Sequence, residues 1–157
     1  MSPFAINLIL AVAWQALGGD FSLTSLVVGF VVGYVVMWLL QPLLGHTRYC
    51  RQVLDVAALV LFFLYELVVS SLRVAWHVLT PGQRSTPGII AVPLEVCSDA
   101  EITVLGNLIS LTPGSLTIDV SDDKRTLLVH SMFVDDPDDE RREIKSGMEK
   151  RVLEALR

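Results

Sequence analysis

Charge is spread so unevenly along this chain that one ordinary globular domain cannot hold all of it. Up to Pro87 only seven side chains are charged: Asp20, Asp55 and Glu66 against Arg48, Arg51, Arg73 and Arg84. From Gly88 to Arg157 there are twenty-two. A stretch that apolar and that long belongs in lipid, whereas the remainder carries enough polar surface to stand in water. The composition therefore divides the chain into a membrane part, residues 1–80, a linker, residues 81–87, and a small soluble domain, residues 88–157. The net charge of −5 comes from the soluble part. No basic face is available to displace phosphate counterions, which excludes nucleic acid as a partner.

The start of the chain does not read as a cleaved signal. No Lys or Arg precedes Arg48, and a second apolar segment follows at once. Segment one, about Pro3 to Leu17, would be roughly 22 Å long as a helix, short for a ~30 Å hydrocarbon core. Gly18-Gly19-Asp20 makes a turn, and Ser22 or Thr24 caps segment two, which runs to about Leu40 and is closed by Pro42. Together they form a transmembrane hairpin. Segment two holds Gly29-Phe-Val-Val-Gly33, and glycines four apart leave a strip where another helix backbone can approach closely. Tyr34 and Trp38 suit an interfacial aromatic belt. The connector from Gly45 to Arg51 carries two arginines and the loop from Gly18 to Phe21 only Asp20. The positive-inside rule then places the N-terminus, the connector and the soluble domain in the cytoplasm.

Segment three, about Val53 to Leu79, is amphipathic. On a 100° wheel Asp55, Glu66, Ser70, Arg73 and His77 fall within about 60°. Either the helix lies along the cytoplasmic interface or strongly tilted, or it spans the bilayer with its stripe on a partner or a wet cavity. The wholly apolar run Val56 to Tyr65 favours insertion. The charge bias favours the interface, because a third span would put the acidic domain opposite Arg48 and Arg51. Glu66, Arg73 and His77 are the candidate polar stripe. A charge in such a helix marks a site by default, although pairing with a neighbouring protein or with headgroups also accounts for it and is the reading favoured here.

The soluble part reads β-α-β-β-α. A strand from Gly88 to Val96 has Ile90, Val92, Leu94 and Val96 on one face, and Pro93 marks it as an edge. A helix from Ala100 to Ser110 is capped by Ser98 or Asp99 and stopped by Thr112-Pro-Gly114. Leu116, Ile118 and Val120 alternate inward along the next strand, and a turn at Ser121 to Arg125 leads into a strand from Thr126 to Met132. Asp135 to Asp139 open a last helix with Ile144, Met148, Val152 and Leu156 as its buried stripe. This is a ferredoxin-like arrangement without its last strand. Cys50 and Cys97 form no CxxC pair, the three histidines lack zinc spacing, and the glycines make no phosphate loop. The acidic clusters serve turns and helix caps. No cofactor, metal or catalytic site is expected.

One stretch is distinctive: Glu101-Ile-Thr-Val-Leu-Gly-Asn-Leu-Ile-Ser-Leu-Thr-Pro-Gly-Ser-Leu-Thr-Ile-Asp-Val-Ser-Asp-Asp123, followed by Leu128-Val-His130. It resembles the E subunit of the Mrp-type (Mnh or Pha) multisubunit monovalent cation/proton antiporters. Leu111, Thr112, Pro113, Gly114, Asp119, Ser121 and Asp122 carry the likeness most specifically. The resemblance covers the whole chain, including the hairpin and the long helix with its central Glu66. It implies an accessory or assembly subunit in the bacterial inner membrane, partnered by other very hydrophobic subunits that carry the proton channels. It assigns no catalytic residue to this chain. The other class left open is a stand-alone membrane-anchored adaptor or sensor whose cytoplasmic domain binds a ligand or protein.

Overall fold

The computed structural model describes residues 3–44, 49–80 and 86–157, and they fall into two compact units, Met1–Leu54 and Asp55–Arg157. The linker 81–87, apart from its last two residues, and the connector residues 45–48 lie outside the described residues.

The first unit is built on a helical hairpin. Helix α1 spans Pro3–Gly18 and α2 spans Leu23–Leu44. The turn follows from its residues. Gly19 sits at φ +65, where a side chain would be strained, and Asp20 accepts hydrogen bonds from the Ser22 backbone N–H at 3.0 Å and its hydroxyl at 2.9 Å. Ser22 then caps α2 by accepting from the Ser25 N–H. The helix passes Pro42 and ends at Leu44, beyond the stop read from sequence. A proline lacks the amide donor and crowds the carbonyl four residues back, and two residues from a helix end that disturbance is confined to the last turns.

Helix α3, Tyr49–Leu79, leads into the second unit. After it come β1 (Gly88–Pro93), α4 (Asp99–Leu111), β2 (Ser115–Val120), β3 (Thr126–Ser131), α5 (Pro137–Ile144), a π turn (Lys145–Glu149) and α6 (Lys150–Leu156). The sheet order is β1-β3-β2, and both neighbouring pairs are antiparallel. β1 and β2 therefore run in the same direction with β3 between them, and Pro93 ends an edge strand, where its missing donor is harmless. Ile90, Val92, Leu127 and Val129 face α4 and α6, which contribute Ile102, Leu105, Ile109, Val152 and Ala155 to a single core. Leu59 of α3 joins that core.

Helix α4 has a full capping box. Ser98 accepts from the Glu101 N–H at 3.2 Å, and the Glu101 carboxylate accepts from the Ser98 N–H at 3.1 Å. Arg157 donates to the same carboxylate at 2.9 Å and ties α6 to the start of α4. These donors, with the Cys97 N–H, hold the Glu101 carboxyl down at about 2.

Two phases differ from the sequence reading. Leu116 and Ile118 are about half exposed, at 52% and 50%, and it is Thr117 that turns inward, its hydroxyl donating to the Gly106 carbonyl. A register shift between Thr117 and Asp119 then brings Val120 back toward the core, which a strict alternation cannot anticipate. In the last helix, Leu156 is exposed, while Glu149, Val152 and Ala155 are buried. The π turn adds a residue to the helical repeat and rotates everything after it.

Candidate functional site

The polar stripe of α3 is directed at the sheet and helices that follow it in the second unit. Phe62, Glu66, Val69, Ser70 and Arg73 form one wall of a cavity of about 220 Å³. The opposite walls come from Thr112-Pro113-Gly114, from Ser131 on β3, and from Glu140, Glu143 and Gly147 around the last helices. Glu66 has Glu143, Arg73 and Arg151 as its electrostatic neighbours. Arg151 lies over the Phe62 ring at 3.7 Å and donates to the Gly147 carbonyl at 2.9 Å. Ser70 is buried and returns its hydroxyl to the Glu66 carbonyl, so it serves its own helix. His77 stacks on Phe133 with ring centroids 4.3 Å apart.

The position of the Leu-Thr-Pro-Gly segment follows from how α4 ends. The Thr112 N–H caps the helix on the Ile109 carbonyl, its hydroxyl bonds the Leu108 carbonyl at 2.9 Å, and Ser115 closes back on Ile109 at 2.7 Å. Gly114 then takes φ +95, a conformation that favours glycine, and packs beside Phe133 and Val74. Leu111 points outward. The rest of the motif is elsewhere. Asp119 bonds the Val120 N–H within the bulge, and Ser121 fastens the β2–β3 turn through Asp123 and Thr126. Asp122 is exposed in that turn. Of the sequence-read residues, Glu66, Arg73 and Thr112 to Gly114 thus share one cavity, while Asp119, Ser121 and Asp122 shape a hairpin turn.

Two residues that the sequence presented only as a helix-capping acid and an ordinary serine belong to the cavity. Glu140 accepts from the buried Ser131 hydroxyl at 3.0 Å. Burial pushes its carboxyl above the usual range; the Ser131 bond opposes this, Glu143 and Asp135 add to it, and Arg73 offsets part. A raised carboxyl penalises the charged form in the fold. Stability is then kept below the ordinary value of 4.5 and lost as pH rises through the raised one. Glu140→Gln should remove that loss. Its thermal midpoint should exceed that of the parent at neutral pH and match it near pH 4, by less than about 1 kcal/mol because the group is half-buried. Glu101 works in the opposite sense: its stabilisation is present above 4.5 and fades as pH falls toward about 2. A pH series of melting curves on both Gln variants checks the two signs together.

The hairpin carries a separate contact. Gly29 and Gly33 lie against α1, where a Cβ on Gly29 would stand 2.9 Å from the Ala11 carbonyl oxygen and 2.9 Å from the Trp14 Cβ. A Cβ on Gly33 would collide with Asn7. Facing this strip, α1 buries Asn7, Ala11 and Gln15, one turn apart. Asn7 donates to the Tyr49 hydroxyl at 2.9 Å, and Gln15 to the Ser22 carbonyl at 2.9 Å. Small residues opposite hydrogen-bonded polar ones are how helices pack where lipid removes the hydrophobic drive. Tyr34 packs with Met37 and Tyr49, while Trp38 is exposed. Among the described residues no group of three or more His, Cys, Asp or Glu is placed to hold a metal.

A family model described as Na+/H+ ion antiporter subunit, MNHE, matches residues 7–155. The E subunit of the Na+/H+ antiporter of Alkalihalophilus pseudofirmus is 32% identical over 97% of this chain and 96% of the relative. The protein of the same name from Bacillus subtilis is 31% identical over 97% and 96%. Among solved structures, a chain of the Mrp complex from Dietzia sp. DQ12-45-1b is 31% identical, with a TM-score of 0.51 over 65% of this chain and 96% of that one. A chain of the membrane-bound sulfane sulfur reductase, an archaeal respiratory membrane complex, is 25% identical, with a TM-score of 0.52 over 87% and 86%.

Proposed function

The chain belongs to the Na+/H+ ion antiporter subunit family, and from that premise we propose that it is the E subunit of a multisubunit monovalent cation/proton antiporter in a bacterial inner membrane, with an accessory and assembly role. The observation that carries this reading is the extent of the match, which runs from the first helix to the last and leaves neither unit unaccounted for. Other subunits of the antiporter are its partners. Exchange takes place in them, and this chain has no catalytic site of its own. The soluble part, residues 88–157, is a ferredoxin-like domain lacking the last strand; the order β1-β3-β2 with an α4 crossover supports that description. Purification in mild detergent followed by mass spectrometry tests the assignment. Several very hydrophobic proteins should accompany the chain, and recovery of the chain alone would favour a stand-alone anchor.

The hairpin crosses the membrane with its N-terminus, and the soluble domain with it, in the cytoplasm. Cys97 is exposed in that domain, and Gly18 at the hairpin tip has open space around it. An impermeant thiol reagent added to intact cells should therefore miss Cys97 and label a Gly18→Cys variant. The reverse pattern would invert the topology.

Glu66 acts as a structural carboxylate between Arg73 and Arg151, not as a step on an ion path. Removing its charge while keeping its shape is mild; replacing it with an apolar group leaves two guanidinium groups short of a partner. Glu66→Gln should therefore retain assembly and exchange, and Glu66→Leu should lower the yield of complex, by about 1–2 kcal/mol in stability. An assembled Glu66→Gln complex without exchange activity would put this residue on the ion path instead.

A further inference from the structure

We propose that α3 lies along the bilayer surface, with its apolar side in the boundary between headgroups and acyl chains, and that this face rather than a third crossing holds the soluble domain to the membrane. The proposal rests on the assignment of the α1–α2 hairpin to the bilayer and deepens it.

Helix α3 is long and apolar enough to span, since an 18-residue window within Arg51–Leu79 has a mean hydropathy of 2.2. Its polar side, however, is already occupied. Leu59 enters the core of the domain, Phe62 lies under Arg151, Val74 packs beside Gly114, and His77 stacks on Phe133. From residue 59 to residue 77 these contacts cover ~27 Å of helix axis, nearly a full hydrocarbon thickness. A crossing helix would carry the domain with it into lipid. Exposed charges such as Asp138, Arg142, Glu143 and Lys150 would then lose their water. With the domain docked, the axis has to run along the membrane.

The opposite side has the character that such a position demands. Leu61, Tyr65, Val68, Leu72, Trp76 and Leu79 share an arc of roughly 80°, and no charged residue falls on it. All six are exposed. Soluble proteins rarely leave so long an apolar stripe bare. Tyr65 and Trp76 are rings that settle at headgroup level. Only four residues separate the end of α2 from the start of α3, so the first turn of α3 begins at the membrane surface. Continuity with the hairpin commits this face to lipid.

The experiment uses the full chain with Cys50 and Cys97 replaced by Ser. Spin labels are placed one at a time at Leu61→Cys, Val68→Cys, Leu72→Cys and Leu79→Cys, in phosphatidylethanolamine–phosphatidylglycerol vesicles and again in the purified complex. Collision with oxygen and with a water-soluble nickel chelate reads the depth. All four labels should sit at one shallow level, ~5–10 Å into the boundary, in both preparations. Depth that changes along the series by up to ~1.5 Å per residue would mean a spanning helix and overturn the proposal. Labels shielded from both reagents in the complex would overturn it in favour of a neighbouring membrane protein, and labels open to nickel in favour of a soluble partner. A label at Val31→Cys reports the hairpin separately, and a shallow reading there would remove the premise itself.

Discussion

Gly29→Leu should detach α1 from α2 and strip the chain from its complex, at a cost of roughly 3 kcal/mol. The size of the effect follows from what the new side chain meets. Its first atom would stand 2.9 Å from a carbonyl oxygen of Ala11 and 2.9 Å from the Cβ of Trp14, neither of which can swing aside. Gly33→Leu meets the Asn7 amide, the end of a side chain, which can rotate at the expense of its bond to Tyr49. The two variants therefore rank, with Gly29→Leu the more severe. Val31→Leu, on the exposed side of the same helix, should co-purify normally. Comparing the yield of complex and the thermal midpoint across the three variants checks the order, and equal yields would show that the glycine strip contributes nothing to assembly.

Glu149→Ala should be the most damaging single change in the second unit. Glu149 is 1% exposed, and its carboxylate accepts from the Glu95 N–H at 2.5 Å and the Val96 N–H at 3.1 Å, with the Lys145 ammonium at 3.5 Å. These two amides leave β1 without a strand partner, and the carboxylate stands in for the missing ladder. Truncation leaves both donors unsatisfied and should cost about 3 kcal/mol; Glu149→Gln keeps an acceptor oxygen and should cost about 1 kcal/mol. Melting curves of the full chain in detergent distinguish the two. Faster hydrogen exchange at Val96 in the Ala variant alone would locate the loss.

The sequence carried those parts of the fold that depend on local chemistry. The Gly-Gly-Asp turn, the Ser98 capping box and the Pro-Gly stop after α4 are each decided within a few residues, and each lies where its residue types require. Information that depends on distant pairing was not there to read. The phase of β2 hinges on Thr117 meeting the Gly106 carbonyl across the helix–sheet interface. The glutamate pair Glu140 and Glu143 looks, in sequence, like ordinary charge at the start of a helix. Its approach to the α3 stripe exists only once the last two helices close over the sheet. Glu149 was hidden for a related reason: an unbroken 3.6-residue repeat keeps it off the apolar stripe, and only the π turn brings it inside.

That turn also sets a frame. One residue in Lys145–Glu149 is surplus to the α-helical count, so the eight residues that follow are read one position out of step with those before it. Loss of Ser146 would let the turn close into a regular α-helix while the segments on either side keep their present faces. Val152 and Ala155 would still point into the core, and Arg157 would still reach Glu101. A relative one residue shorter here would therefore share the inward face of this helix, and matching the two requires a gap within the turn.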